Sequence, residues 1–281
     1  MGINKIWNAT LAFRKFREKT HELSKIYWIQ QLGADCIQDG LSQKASTDFT
    51  AKVLPSSFDF KMYPAQVHET LGWLHTYMDR NRLYLLVVYT AFLESYLKEI
   101  TLLHLAEQGY VANPNTIDEL LKLNLVGKAI GAPILERSTV PDMVKYASSL
   151  FDIDFGKNAE NWVKIYQLRC EVAHNGGVAT PEFFRKISGM NLSLNPKEYE
   201  MLGITWNELR NFMRDADDIA AMIDSKVACY SLQMKELVQV LRELNILKNL
   251  PKRNKLWQVL HDEYGLKAKQ KDKIEIERAF Y

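Results

Sequence analysis

A chain of 281 residues with 36 Lys+Arg against 34 Asp+Glu has a formal net charge of only +2, which excludes the large basic surplus of proteins that coat nucleic acid. Its 47% hydrophobic and 11% aromatic content excludes disorder, and its length allows one large domain or two small ones. The longest uncharged apolar run, residues 83–93, is 11 residues long, against about 20 for a membrane span.

The opening MGINKIWNATLAFRK has no apolar signal core and, with Ile6, no myristoylation pattern. A first helix is predicted over residues 3–32, followed by a polar connection rich in Gly, Ser and Pro over 33–64. Residues 65–108 contain no proline and predict either one very long helix or two meeting near 78–82. Thr116-Ile-Asp-Glu119 has the form of a capping box and opens a helix to about residue 130. Two further helical patterns cover 141–151 and 158–174. Thr180-Pro181 reads as a cap followed by proline at the first helical position. Thr205-Trp-Asn-Glu208 is a second capping box, opening a long helix to about residue 247. From Lys248 the tail carries 9 Lys+Arg against 5 Asp+Glu, so the neutral total combines a +4 tail with a −2 body. No alternating segment suggests a hairpin, and the fold class is all-α. The parts are an N-terminal helical extension with its connection (1–64), a helical bundle (65–245) and a basic helical tail (246–281).

Cys36, Cys170 and Cys229 lie far apart and form no CxxC pair, so neither a disulfide framework nor a zinc cluster is predicted. The chain reads as reduced, soluble and cytoplasmic, with no cofactor. His68, His75 and His104 stand isolated and are not read as ligands. Trp73, Tyr77, Met222, Tyr230 and Met234 recur at helical spacing and belong to a core or a dimer surface rather than a cofactor box.

The most informative segment is 161–177, NWVKIYQLRCEVAHNGG. On a helix, Trp162, Ile165, Tyr166, Val172 and Ala173 share a face, with Arg169 in its middle. A guanidinium keeps its charge, so at a buried position it needs a carboxylate, carbonyls or an anionic ligand. His174, five residues on, falls about 140° around an ideal helix. Asn175-Gly176-Gly177 tolerates left-handed backbone, so the last turn is expected to loosen and bring His174 back towards Arg169. Histidine beside a fixed cation suits acid/base chemistry on a phosphodiester. The spacing alone is common, since Arg14 and His21 also match it; the apolar setting and the double glycine give it weight. Glu94, the second unusual charge, interrupts the most apolar helical stretch. It is read either as an exposed pair with Lys98 at i+4 or as a carboxylate packed inside the bundle that orients Arg169.

Arg169-Cys-Glu-Val-Ala-His174 with Asn175-Gly-Gly, and the earlier Ala91-Phe-Leu-Glu94-Ser-Tyr-Leu97, resemble the HEPN superfamily, in particular its ribonucleases of bacterial toxin and anti-phage systems. The resemblance covers about residues 65–245. Cys170 stands where the family often has Asn, Asp or His. The resemblance implies a bundle of four to five helices and a homodimer with its site at the face between protomers. It implies metal-independent RNA cleavage to 2′,3′-cyclic phosphate and 5′-hydroxyl ends, with His174 as base or acid, Arg169 on the phosphate and Glu94 as a site carboxylate. Asn175 either binds a phosphate oxygen or caps the helix, and Lys252, Arg253 and Lys255 of the tail, with Trp257 nearby, would touch RNA by charge and stacking. RNA and an antitoxin or defence-system partner follow as partners, and no membrane. The alternative is a catalytically inactive HEPN module that binds a nucleotide or a protein.

Overall fold

The computed structural model describes residues 6–53, 65–109, 140–188 and 196–243, and near the C-terminus 257, 258, 260–262, 270, 273 and 274. The described residues are all-α. They form α1 (Leu11–Ser42), α2 (Thr50–Val53), α3 (Val67–Glu107), α4 (Val140–Phe151), α5 (Lys157–Asn175), α6 (Pro181–Lys186), α7 (Trp206–Val227) and α8 (Tyr230–Glu243). Among them there is no strand, and two isolated antiparallel bridges join Phe49 to Gln66 and Val178 to Met201. None of these helices is long and apolar enough to cross a membrane. The predicted capping box at 116–119 lies outside the described residues.

Three boundaries differ from the sequence reading. The first helix starts at Leu11 rather than residue 3, because Thr10 caps it: its Oγ1 accepts from the Phe13 backbone N–H at 3.1 Å. It also runs ten residues past the expected end, through Gly33 and Gly40, with Ala34 and Leu41 buried. Tertiary burial outweighs the helix-breaking tendency of those glycines. The proline-free stretch is a single 41-residue helix, α3. The helix opened by Thr205 ends at Val227, and α8 begins at Tyr230 after Ala228 and Cys229, two residues that carry no breaking signal. The two predicted caps that lie among the described residues both form. Thr205 Oγ1 accepts from the Glu208 N–H, whose carboxylate accepts from the Thr205 N–H at 2.7 Å, and Thr180 Oγ1 accepts from the Phe183 N–H.

The chain divides into two compact units, which do not follow the three-part division along the sequence. The first gathers residues 1–19, 91–162 and 215–281. Its apolar cluster joins Ile6, Trp7 and Leu11 to Leu237, Val240 and Leu260, with Tyr230, Met234 and Trp257 packed against it. Phe16 lies 5.5 Å from the Tyr96 ring, whose hydroxyl donates to the Ala220 carbonyl at 3.0 Å. Burial, then Asp224 and Glu236, hold that hydroxyl well above its ordinary value. Three buried polar side chains fasten residues 6–12. Gln233 Oε1 accepts from the N–H groups of Ile6 and Trp7, and its Nε2 donates to the carbonyls of Trp7 and Ala9. Asp224 accepts from the Thr10 N–H and hydroxyl. The Glu236 carboxylate accepts from the N–H groups of Leu11 and Ala12, each at 3.0 Å. The orphan donors of the first turn of α1 are thus met by the side-chain oxygens of Thr10, Asp224 and Glu236.

Burial pushes Glu236 up to about 8, with Glu99 and Asp224 adding to the rise and the two backbone donors opposing it. The folded chain therefore retains a proton that the unfolded chain, near the ordinary 4.5, has lost. Stability falls as pH rises from about 4.5 to about 8. In Glu236→Gln, urea midpoints followed from about pH 5 to about pH 8 should lose this part of the slope. A slope unchanged in the variant would assign the pH dependence elsewhere.

The second unit gathers residues 20–90 and 163–214. Within it α1 runs antiparallel to α3, with Asn81 Nδ2 donating to Gln30 Oε1 at 2.6 Å and Arg82 bonded to the Tyr27 hydroxyl, Asp79 and the Ile204 carbonyl. Tyr27 stacks on Trp206, with centroids 4.5 Å apart and planes 8° from parallel. The Tyr89 hydroxyl donates to the Met213 carbonyl, fixing the register of α3 on α7.

Candidate functional site

The motif lies on α5 and the turn that follows it. The helix stays regular through Asn175, and left-handed backbone begins only at Gly176 (φ 62°) and Gly177 (φ 82°). The expected loosening of the last turn therefore comes one residue too late to bring His174 back towards Arg169, and the two remain about 140° apart around the helix. His174 and Asn175 are exposed.

The buried face of α5 is Trp162, Ile165, Leu168 and Glu171, rotated from the predicted one; Ala173 is exposed and Tyr166 and Val172 are half-buried. Arg169 is consequently not in the middle of an apolar stripe. It is half-buried on the rim, with its guanidinium carbon 5.3 Å from the centroid of Tyr166, one turn earlier. A cation over an aromatic face keeps contact with water, so no buried partner is required.

The charge that does enter the stripe is Glu171, 6% exposed. Sequence reasoning missed it. Its Oε1 accepts from the Thr180 hydroxyl at 3.0 Å and its Oε2 from Asn175 Nδ2 at 2.5 Å. Asn175 four residues on and the Thr180 cap were the available signal. The backbone carbonyl of Glu171 also accepts from the Gly177 N–H at 3.0 Å, closing the turn on the helix end. At Gly177 an added Cβ would stand 3.7 Å from Met201 Cε in a left-handed conformation, which accounts for glycine there. Beyond it, Ala179 and Leu202 donate to the carbonyls of Glu200 and Gly177, so residues 199–202 brace the turn from behind.

Of the two readings of Asn175, its amide takes the structural role, held by Glu171. Glu94 makes the i+4 pair: Lys98 Nζ donates to its Oε1 at 2.7 Å, and its side chain is 29% exposed. It is thus neither fully buried nor without a local cation, and lies in the first unit, whereas Arg169 and His174 lie in the second. Lys252, Arg253 and Lys255 lie outside the described residues. Cys170 is half-buried. His104 sits edge-on to Phe151, and burial lowers it from its ordinary value, opposed by Glu107. Among the described residues no group of three His, Cys, Asp or Glu is placed to hold a metal ion.

Replacing Glu171 with alanine would leave the Thr180 hydroxyl and the Asn175 amide without their acceptor and should cost about 2 kcal/mol. Urea unfolding would show the loss, and amide exchange at Gly177–Ala179 would rise; an unchanged midpoint would remove Glu171 from the frame of the turn.

No family model, no curated protein and no solved structure matches the chain.

Proposed function

We propose that this chain is a metal-independent endoribonuclease of the HEPN type, acting in toxin or anti-phage defence. One observation carries the reading: Arg169 and His174 both reach solvent on the last two turns of α5, ahead of a turn braced from within by Glu171. A preorganised cation and an accessible imidazole are what 2′-hydroxyl attack on a phosphodiester requires. The ribose 2′-oxygen gives up its proton and attacks phosphorus, while the 5′-oxygen leaves and takes up a proton. The products are a 2′,3′-cyclic phosphate and a free 5′-hydroxyl. His174 moves one of these protons, and Arg169 holds the phosphate as negative charge grows on it.

The regular helix sets the two side chains on different flanks, so one copy does not close both on one phosphate. A second copy supplying the complementary group completes the site, and the homodimer is part of the proposal. Glu94, paired with Lys98, is assigned no contact with substrate, and Asn175 supports the turn. Lys252, Arg253 and Lys255 would add salt-sensitive phosphate contacts. A cytoplasmic setting and a controlling antitoxin or defence partner belong to the same reading.

The test is a denaturing gel of purified protein with total RNA and with tRNA, followed by mapping of fragment ends. Cyclic phosphate ends that depend on His174 would uphold the reading, and fragments with 5′-phosphate ends would end it.

A further inference from the structure

Trp28, on α1, is 52% exposed although two other rings hold it in place. It meets Tyr27 at 5.2 Å and 70°, and Trp206 at 4.9 Å and 63°, while those two stack in parallel. Tyr27 is buried and has Arg82 5.9 Å over its ring, and Trp206 is half-buried, so the cluster opens to water chiefly through Trp28. A ring already fixed in this way loses little freedom when a flat group stacks on it.

The same contact aligns two helices. α1 runs antiparallel to α3, and α3 runs parallel to α7, because Asp79 and Tyr89 bond in turn to Ile204 and Met213. α1 and α7 are therefore antiparallel, and one turn back from Trp28 stands level with one turn on from Trp206. Ser24 comes beside Arg210 and His21 beside Arg214, within about 12 Å of the tryptophans along the helices. His21, Ser24 and Trp28 lie within about 60° of one another around α1, and Trp206, Arg210 and Arg214 within about 80° around α7. All six belong to the second unit, and His21, Arg210 and Arg214 are exposed.

Among the described residues no carboxylate pairs with Arg210 or Arg214. Glu208 caps Thr205, Asp217 is bound by Arg17 at 3.3 Å, and Asp218, one turn past Arg214, makes no ion pair with it. Glu22 lies about 100° around α1 from His21. Two open guanidinium groups thus stand in line with an open indole, on a body whose net charge is −2.

We propose that single-stranded RNA lies along this row, with one base stacked on Trp28 and neighbouring phosphates on Arg210 and Arg214. A guanidinium grips a phosphate through two parallel N–H donors, and an aromatic face takes any base. An acidic peptide would use the cations but has no need of the ring. α1 lies outside residues 65–245, so the site is separate from the HEPN resemblance, and it uses neither Arg169 nor His174. It rests on the ribonuclease reading only for the choice of RNA as the strand.

Fluorescence anisotropy of the full chain with a labelled 2′-O-methyl oligouridylate of about 12 nucleotides tests this. The probe has no free 2′-hydroxyl, so it survives any cleavage activity. Trp28→Ala should weaken binding about tenfold at about 100 mM salt. Arg210→Gln combined with Arg214→Gln should weaken it as well. The slope of log affinity against log salt should then become shallower by about 1.4, the share of two phosphates on a single strand. Trp28→Ala also loses two ring contacts, so the double variant decides; its side chains are exposed and unbonded, and its thermal midpoint should not move. Binding that the double variant leaves unweakened overturns the site, and so does a wild-type chain that binds no probe. Retention by phosphatidylserine vesicles without binding of the probe would make the row a membrane contact and also overturn it. His174→Ala should bind like the wild type. A chain that binds the probe through these residues and cuts no RNA therefore ends the ribonuclease reading alone, and one that cuts RNA with binding unmoved by the double variant ends this site alone.

Discussion

His174→Ala is expected to abolish RNA cleavage by the purified chain, a loss of at least about 100-fold, the scale of a single general acid or base. His174 is exposed and no described hydrogen bond holds it, so the variant should unfold at the wild-type urea concentration. That coincidence separates a chemical role from a structural one. Arg169→Ala should lower the rate comparably, since stabilising charge on the phosphate has a similar scale. It would also remove the contact with the Tyr166 ring, worth only about 0.5–1 kcal/mol at so open a position. Chelation with EDTA should leave the wild-type rate intact, and DNA of the same sequence should survive because it lacks the 2′-hydroxyl. Cleavage that stops with EDTA would sink the mechanism. RNA that is bound and never cut would favour the inactive binding module.

The second large effect is structural. Gln233→Ala removes a fully buried side chain that makes four hydrogen bonds to the backbone of Ile6, Trp7 and Ala9. Each buried backbone group left unmatched costs about 1–3 kcal/mol. The total cannot exceed the cost of letting residues 6–9 detach into water, so a loss of about 3 kcal/mol is expected, with faster amide exchange at Ile6 and Trp7. Gln43→Ala, on the surface, should change stability by less than about 0.5 kcal/mol. If the two variants unfold alike, the contacts of Gln233 are dispensable.

What the sequence disclosed was the part governed by local chemistry. The capping box at Thr205, the proline after Thr180 and the helical period gave the all-α class and the ends of α5 closely. What it hid was governed by distant partners. The start of α1 depends on acids more than 200 residues away, and its continuation past Gly33 depends on the burial of Ala34 and Leu41. The rotation of α5 was misjudged for a related reason. Helical spacing from Trp162 points to Arg169 and passes over Glu171, yet Asn175 and Thr180 satisfy a buried glutamate, while the long stem of the arginine lets it lie on an aromatic ring at the rim. The residues of the motif were legible; which of them faces water was not.

The fastening of residues 6–12 has a consequence for synthesis. Gln233 and Glu236 are 224–227 residues downstream of the backbone groups they hold. At about 5–20 residues per second the ribosome leaves the early segment waiting for 10 s or more before α8 emerges. During that interval Ile6, Trp7 and Leu11 have no cluster to join and α1 has uncapped donors at its start. The first unit therefore closes from its two ends at once and late, while Tyr27, Trp206 and the rest of the second unit can pack as soon as α7 has left the tunnel. The stretch a nascent-chain chaperone would find longest exposed is residues 6–12.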